Sequence, residues 1–204
     1  MTGSYRTYYV NSKTGRDTND GLTTESPFAS LISVNRLDLN PGDKVLLARN
    51  SVFAGQFLQI RSSGTKEQPI EIGSYSPEKE EGNPPLIAAD GQGIWYQDYG
   101  TPLDSPTHVY QGYVSSAVLL YDVKHVILRD LEITNRASGV PGESYSAPHK
   151  MNRTGVAVVA KDKGTCSGIT LRNLSIHDVN GNVYDKHMNN GGIYMTALTP
   201  ADEA

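Results

Sequence analysis

The residues best suited to chemistry lie together near the C-terminal end of this 204-residue chain. Asp178 and Asp185 occupy a stretch rich in His, Tyr and Asn. Two carboxyl groups held close together can divide the work of a reaction, because one can carry a proton while the other stays ionised. The pattern therefore predicts a two-carboxylate catalytic site. The structural alternative is that Asp178 is a chain corner equivalent to Asn135 and that Asp185 belongs to a surface loop.

Side chains suited to a neutral, hydroxyl-rich ligand accompany this pair, because aromatic rings offer apolar faces and amides offer donors and acceptors. The binding residues predicted around the pair are His177, Tyr184, His187, Asn189 and Asn190, with loop capping as the alternative role. An insertion at about 90–113 carries five aromatic residues without strand periodicity, and we expect it to form a cleft wall and to cover the core. Trp95 is its best stacking candidate. A second insertion, about 136–153 with His149, is expected to flank the same face.

The composition argues against several other classes of function. With 18 Lys and Arg against 22 Asp and Glu, the net charge is −4, which provides no basic surface for nucleic acid. The single Cys166 can form neither an internal disulfide nor a cysteine zinc site. Segment 17–21 resembles a calcium loop but lacks the downstream glutamate, so it is predicted to be a turn. No apolar run is long enough to span a membrane. We predict no metal and no cofactor.

The elements that must position these residues are short strands. One amphipathic helix is predicted at about 27–36, with Ser26 as its N-cap and Pro27 as its first residue. The rest of the chain alternates short apolar runs with turns rich in Gly and Pro, which favours an all-β fold. The predicted strands are 8–10, 44–48, 56–60, 70–72, 85–88, 116–120, 125–128, 131–134, 155–159, 169–171, 174–176 and 192–195.

An internal repeat identifies the architecture. Segment 125–135 matches segment 168–178 at an offset of 43 positions, and each copy reads strand, polar corner, strand. The corner residues are Asp130 and Asn173, which tolerate unusual backbone conformations and can hydrogen-bond between coils. Such a repeat without crossover helices predicts a parallel β-solenoid, with a β-sandwich as the alternative. The identical pairs are Leu128 with Leu171, Arg129 with Arg172 and Leu131 with Leu174.

Particular motifs resemble a known family. Three segments resemble the N-terminal cap and first coil of secreted right-handed parallel β-helix carbohydrate-active enzymes. They are YYVNSKTGRDTNDG at 8–21, SPFASL at 26–31 and NPGDKVLL at 40–47. Within that class, NLSIHDVNGN at 173–182 and NNGGIY at 189–194 most resemble the β-helix lacto-N-biosidases of glycoside hydrolase family 136. The resemblance implies a retaining hydrolase that releases a disaccharide from human-milk-type oligosaccharides, using two aspartates and no metal. Within the pair predicted above, we assign Asp178 as the acid/base and Asp185 as the nucleophile.

The expected fold is thus a single right-handed parallel β-helix over 1–204, with a cap and first coil at 1–48 and coils at 49–204. No capping element follows the strand at 192–195, so we expect further coils or a second chain to stack near Ala204. The catalytic pair lying beyond Ala204 is the alternative to the site above. The rival functions are a polysaccharide lyase on the same fold and a non-catalytic carbohydrate-binding or adhesive solenoid. The resemblance implies an extracellular or cell-surface bacterial protein, although the first four residues lack a signal-peptide pattern, which leaves a cytoplasmic location open.

Overall fold

The computed structural model describes residues 5–77, 82–98, 111–136, 151–162, 164–181 and 190–198. In these ranges the chain is almost entirely β-structure with a single helical turn, as predicted. The elements are β1 (Thr7–Val10), α1 (Leu31–Val34), β2 (Lys44–Ala48), β3 (Val52–Ala54), β4 (Leu58–Ile60), β5 (Ile70–Tyr75), β6 (Leu86–Ala88), β7 (Ile94–Asp98), β8 (Gln111–Tyr121), β9 (Val126–Asn135), β10 (Asn152–Ala160), β11 (Thr170–Val179) and β12 (Gly191–Ala197).

The strands stack in parallel on three faces. The first face runs β1, β2, β5, the first half of β9 and the first half of β11. The second runs β3, β6 and the second halves of β9 and β11. The third runs β4, β8, β10 and β12. Because each coil contributes one strand segment to each face, the molecule is a parallel β-helix.

The predicted repeat corresponds to two successive coils. Leu128 pairs with Leu171 and Leu131 pairs with Leu174, at the offset of 43 positions seen in the sequence. Asp130 and Asn173 turn the chain between the first and second faces with φ of 57° and 51°. The Asn173 amide donates to the Asp130 carboxylate at 3.0 Å, so the corner residues bond from coil to coil. Asp and Asn suit this left-handed conformation because their short polar side chains can bond locally.

The core is built from aliphatic side chains that stack between coils. Val45, Ile72 and Leu128 occupy equivalent positions on the first face and are fully buried. Burying a side chain of this kind contributes about 1.5–3 kcal/mol to folding. Leu171 continues the row on the last coil and is only partly buried. Each coil therefore buries the inward side chains of the coil before it, and burial becomes incomplete at β11.

The helix is shorter than the sequence predicts. It spans one turn, Leu31–Val34, and its N-cap is Ser30 rather than Ser26. The Asp17 carboxylate accepts hydrogen bonds from the backbone N–H groups of Ala29 and Ser30, which fixes the chain entering the turn. Leu31 and Val34 pack into the core. The Asp17 carboxylate, one of the acidic groups that make segment 17–21 resemble a calcium loop, therefore stabilises the start of the helix.

Insertion 90–113 and the C-terminal end of the stack are the two remaining regions to compare with the prediction. The sequence of insertion 90–113 shows no strand periodicity, but its residues 94–98 form β7, which pairs antiparallel with the start of β8. At the other end of the stack, Ile193 and Met195 of β12 are half-exposed or more. In the described part of the chain no strand pairs with the outer edge of β11 or β12. Its single helical turn is far too short to cross a membrane.

Candidate active site

Asp178 is an extra residue in the coil. Ile176 pairs with Ile133, but the next paired residues are Val179 and Asn135, so β11 holds one residue more than β9 between these pairs. Asp178 has a φ of 52° in this irregular segment. A bulge of this kind interrupts the ladder and can redirect a side chain, and bulges are frequent beside active sites. The register does not bear out the equivalence of Asp178 with Asn135, because Asn135 pairs with Val179.

Asn135, which ends β9 on the preceding coil, has a structural role. It is fully buried, and its amide nitrogen donates to the backbone carbonyls of Ser115 and Thr154 at 3.1 and 3.0 Å. Its side-chain oxygen accepts from the backbone N–H of Gly91 at 2.9 Å. The side chain of Asn135 is thus fully used in holding neighbouring coils together.

The Asp178 carboxylate instead contacts charged side chains at the surface. Its Oδ2 is bonded by the guanidinium of Arg136 and lies 3.1 Å from His177 Nδ1. The other ring nitrogen of His177, Nε2, lies 3.0 Å from Glu132 Oε1. The side chain of Asp178 is 47% exposed, so the group remains reachable by a ligand. Arg136, Asp178, His177 and Glu132 form what we call the corner network.

The corner network fixes the charges of its members. The hydrogen bond from Arg136, followed by that with His177, lowers the pKa of Asp178. The hydrogen bond with Asp178, followed by that with Glu132, raises the pKa of His177. In this arrangement Asp178 is ionised at neutral pH, which is the state of a base or a nucleophile. A proton-donating role requires its contact with Arg136 to open.

Glu132 is a member of the network that sequence reasoning missed. It lies opposite Ser175 in the neighbouring coil, and His177 follows Ser175 by two residues. Because side chains alternate along a strand, Ser175 and His177 point to the same side as Glu132. The repeat offset and this period of two could together have identified the Glu132–His177 contact.

Asn190 connects the next coil to the corner network. Its side-chain oxygen accepts from the backbone N–H of Arg153 at 2.9 Å, and its amide donates to Asn152 at 2.8 Å. The guanidinium of Arg153 in turn bonds the backbone carbonyl of Arg136. Asn190 therefore holds the corner in shape, and its predicted contact with a ligand stays a prediction.

Four predicted site residues, Tyr184, Asp185, His187 and Asn189, lie outside the described residues, and so does His149. The separation of the two aspartates therefore stays a prediction. In the described ranges no group of three or more His, Cys, Asp or Glu side chains is arranged so that it could hold a metal ion.

Trp95 covers the core rather than presenting its ring to a ligand. It is only 7% exposed, and it packs with Val114 and Leu198 in a second apolar cluster. Its indole N–H donates to the Ser116 hydroxyl at 2.8 Å. Because the Trp95 side chain is buried in this arrangement, the prediction that it stacks on a ligand needs correction. The exposed aromatic rings of the insertion that the structure describes are those of Tyr96 and Tyr113.

The fold and the corner network define a parallel β-helix with an exposed carboxylate on one corner, and known proteins share this architecture. The chain is similar to the crystal structures of GH136 lacto-N-biosidase from Eubacterium ramulus, native and selenomethionine, at 63% identity with TM-scores of 0.89 and 0.88. These matches cover 97% and 96% of this chain and 31% of the other. It is also 40% identical to the lacto-N-biosidase of Bifidobacterium longum subsp. longum, over 98% of this chain and 14% of that protein.

The resemblance predicted from the sequence is thus confirmed, and the chain spans less than a third of the length of these relatives. A rhamnogalacturonan lyase matches with a TM-score of 0.50 at 16% identity, covering 84% of this chain and 37% of the other. That likeness shows a shared fold alone. No family model matches the chain.

Proposed function

We propose that this chain forms part of a glycoside hydrolase of the lacto-N-biosidase type, which releases a disaccharide from human-milk-type oligosaccharides. The likeness to lacto-N-biosidases over nearly the whole chain supports this activity. The catalytic site is inferred from the extra residue Asp178, whose exposed carboxylate is bound by Arg136 and His177. A coil corner that served only the fold would continue the register, as Asp130 and Asn173 do.

Asp178 acts as the acid/base and Asp185 as the nucleophile. In a retaining hydrolase the two carboxyl groups lie about 5–5.5 Å apart on either side of the scissile bond. Asp178 gives a proton to the leaving oxygen while Asp185 attacks the anomeric carbon, and ionised Asp178 then takes a proton from the water that releases the sugar. The lowered pKa of Asp178 fits the second step. For the first step, substrate displaces Arg136 from the carboxylate, and Asp178 takes up from solvent the proton that it then gives to the leaving oxygen.

His177 positions Asp178. Glu132 binds one ring nitrogen, so the other faces Asp178 in a fixed orientation. This is the way in which a second partner generally orients a functional imidazole. The remaining predicted binding residues, Tyr184, His187, Asn189 and Asn190, are assigned to contacts with the sugar hydroxyls. The oligosaccharide substrate and the resemblance to secreted enzymes support a location outside the cell.

Azide rescue tests these roles in the complete protein. Wild-type protein should release the disaccharide from a tetrasaccharide with retained anomeric configuration, followed by proton NMR. Asp178→Asn should lose activity on the tetrasaccharide. On the p-nitrophenyl glycoside of the same disaccharide, whose leaving group departs without a proton, azide should restore turnover of Asp178→Asn and give a retained azide product. Asp185→Asn should give the inverted azide. Full activity in both variants would contradict the site, and unsaturated products would identify a lyase instead.

Further coils stack on the outer edge of β11 and β12, supplied by the same polypeptide or by a second chain. The partly buried row of Leu171, Leu174 and Ile176 together with exposed Ile193 and Met195 supports this, because a coil buries its inward side chains against its neighbours. Hydrogen exchange in the complete protein is the test. Slow exchange is expected for β12 amides, and exchange as fast as in an unprotected edge strand would contradict the stacking.

A further inference from the structure

Two exposed tyrosines form an aromatic pair on the β7–β8 ribbon. Tyr96 and Tyr113 are directly opposite each other across the strands, and their ring centroids lie 5.1 Å apart at an interplanar angle of 67°. Their exposed fractions are 45% and 63%, and the neighbouring Ile94 is 54% exposed. A cluster of exposed large apolar side chains usually marks a binding surface. An edge-to-face pair also leaves a ring face open to a ligand.

The register of the ribbon gives the side to which this pair points. Side chains alternate along a strand, so Tyr113 lies on the same side of β8 as Ser115, and Trp95 and Val114 lie on the other side. The Ser115 hydroxyl contacts the Asn135 side chain at 3.0 Å. The residue after Asn135 is Arg136, which binds Asp178. The tyrosine pair therefore faces the corner that carries the corner network.

The spacing between coils gives the separation. The start of β8 precedes the start of β12 by two coil steps, with β10 between them, and Asp178 lies on the corner that leads into β12. Neighbouring strands are about 4.8 Å apart, so the pair lies about 10 Å along the axis from the level of Asp178. That is too far for the tyrosines to touch the bond being cleaved and suits contact with a more distant sugar.

We propose that Tyr96 and Tyr113 form a stacking platform for a sugar on the leaving-group side of the substrate. This inference rests on the proposed function. An enzyme that removes a terminal disaccharide encloses that disaccharide and leaves the rest of the oligosaccharide in an open part of the cleft. The exposure of both rings suits the open part. The hydrogen bond from Gln111 to Asp98 at the end of the ribbon supplies polar groups beside the rings for sugar hydroxyls.

Comparison of two substrates tests the platform in the complete protein. A tetrasaccharide has sugars beyond the cleaved bond, whereas the p-nitrophenyl glycoside of the same disaccharide has none. Tyr96→Ala and Tyr113→Ala should raise KM for the tetrasaccharide about five- to tenfold and leave the p-nitrophenyl glycoside unchanged. Tyr96→Phe and Tyr113→Phe keep the ring and should retain most of the affinity. Tyr5→Ala removes another exposed tyrosine, far along the stack, and should change neither value.

Binding of the tetrasaccharide by the same variants, each combined with Asp178→Asn to prevent cleavage and measured by titration calorimetry, separates the platform from the reaction. Weaker binding by the two alanine variants with an unchanged melting temperature supports the platform. Unchanged tetrasaccharide binding, or equal losses on both substrates, overturns it. Failure of wild-type protein to cleave either substrate would refute the proposed function, while the binding measurement still decides whether the tyrosines hold a saccharide.

Discussion

Two corners on neighbouring coils use aspartate in different ways. Asp130 and Asp178 share the left-handed backbone conformation, with φ of 57° and 52°. Asp130 stays in register and accepts a hydrogen bond from Asn173 on the next coil. Asp178 interrupts the register, and its carboxylate binds Arg136 and His177 instead of a stacked corner residue.

The register of the coils separates structural from functional acids on this β-helix. A left-handed Asp or Asn is expected wherever the chain turns sharply, so its conformation alone carries no functional meaning. The register supplies the missing information. A corner residue whose side chain continues the stack stabilises the fold, whereas an inserted one with an exposed, paired carboxylate is available for chemistry.

Replacing each aspartate by asparagine gives the largest expected contrast. Asn tolerates the left-handed conformation, so both substitutions should preserve the fold. Asp178→Asn should lower kcat by about 10²–10⁴-fold, the usual contribution of an acid/base group. Asp130→Asn should change kcat less than about threefold, because the Asp130 carboxylate bonds to Arg129 and Asn173, which belong to the coils themselves. Steady-state assays and melting temperatures check both variants, and equal losses of activity would remove the distinction between the corners.

Substitution of Asn173 should have the opposite effect to substitution of Asp178, because it should reduce the stability of the fold and leave kcat unchanged. Asn173→Ala should lower the free energy of unfolding by about 1–3 kcal/mol, from the left-handed cost of a side chain and the lost bond to Asp130. Asn173→Gly loses the bond but accepts the conformation, so it should cost less. Urea unfolding measures both, and kcat per folded molecule should stay unchanged. Equal destabilisation by Ala and Gly would show that the backbone conformation contributes nothing.

Arginine at each corner offers a pH comparison. Arg136 lowers the pKa of Asp178, so Arg136→Gln should raise that pKa and move the limb of the pH–rate profile that Asp178 controls to higher pH. For an acid/base Asp178 this is the alkaline limb, and for a nucleophile it is the acidic limb. Arg129 binds Asp130 and Glu71 at the other corner. Arg129→Gln should therefore leave the profile in place, and a profile equally unmoved in Arg136→Gln would contradict the role of Asp178.

The sequence predicts the coils well because their signal is local. Short alternating runs separated by turns identify most strands, and the offset of 43 positions locates Asp130 and Asn173 on one corner. The same offset misleads at Asp178, since it aligns that residue with Asn135. The insertion that breaks the alignment exists only in the pairing of β9 with β11. Residue spacing alone cannot reveal it.

The remaining errors come from contacts between distant segments. An aromatic insertion predicts rings near a cleft, but which ring is exposed depends on the pairing of β7 with β8, and this pairing buries Trp95 and exposes Tyr96. The helix is shorter than predicted because Asp17 bonds the backbone at Ala29 and Ser30 and fixes the entry to the turn. In each case tertiary contacts override a local preference.

The smallest expected effect concerns the ionisation of His177. Its contacts with Asp178 and Glu132 raise its pKa above the ordinary value of about 6.5. Glu132→Gln should lower that pKa, which NMR titration of the ring proton can follow. The protonated imidazole stabilises the folded state below the unfolded pKa, and this contribution is lost as pH rises through the folded pKa.

Glu132→Gln should therefore lower the melting temperature slightly at about pH 5.5 and leave it unchanged at about pH 8.5. The effect is small because His177 and Glu132 are both accessible to solvent, which screens their attraction. Glu71→Gln is the matched control, since Glu71 binds Arg129 at the structural corner and has no contact with the imidazole. A His177 pKa that is the same in wild-type protein and in Glu132→Gln would mean that Glu132 does not hold the ring, and that Asp178 alone sets its charge.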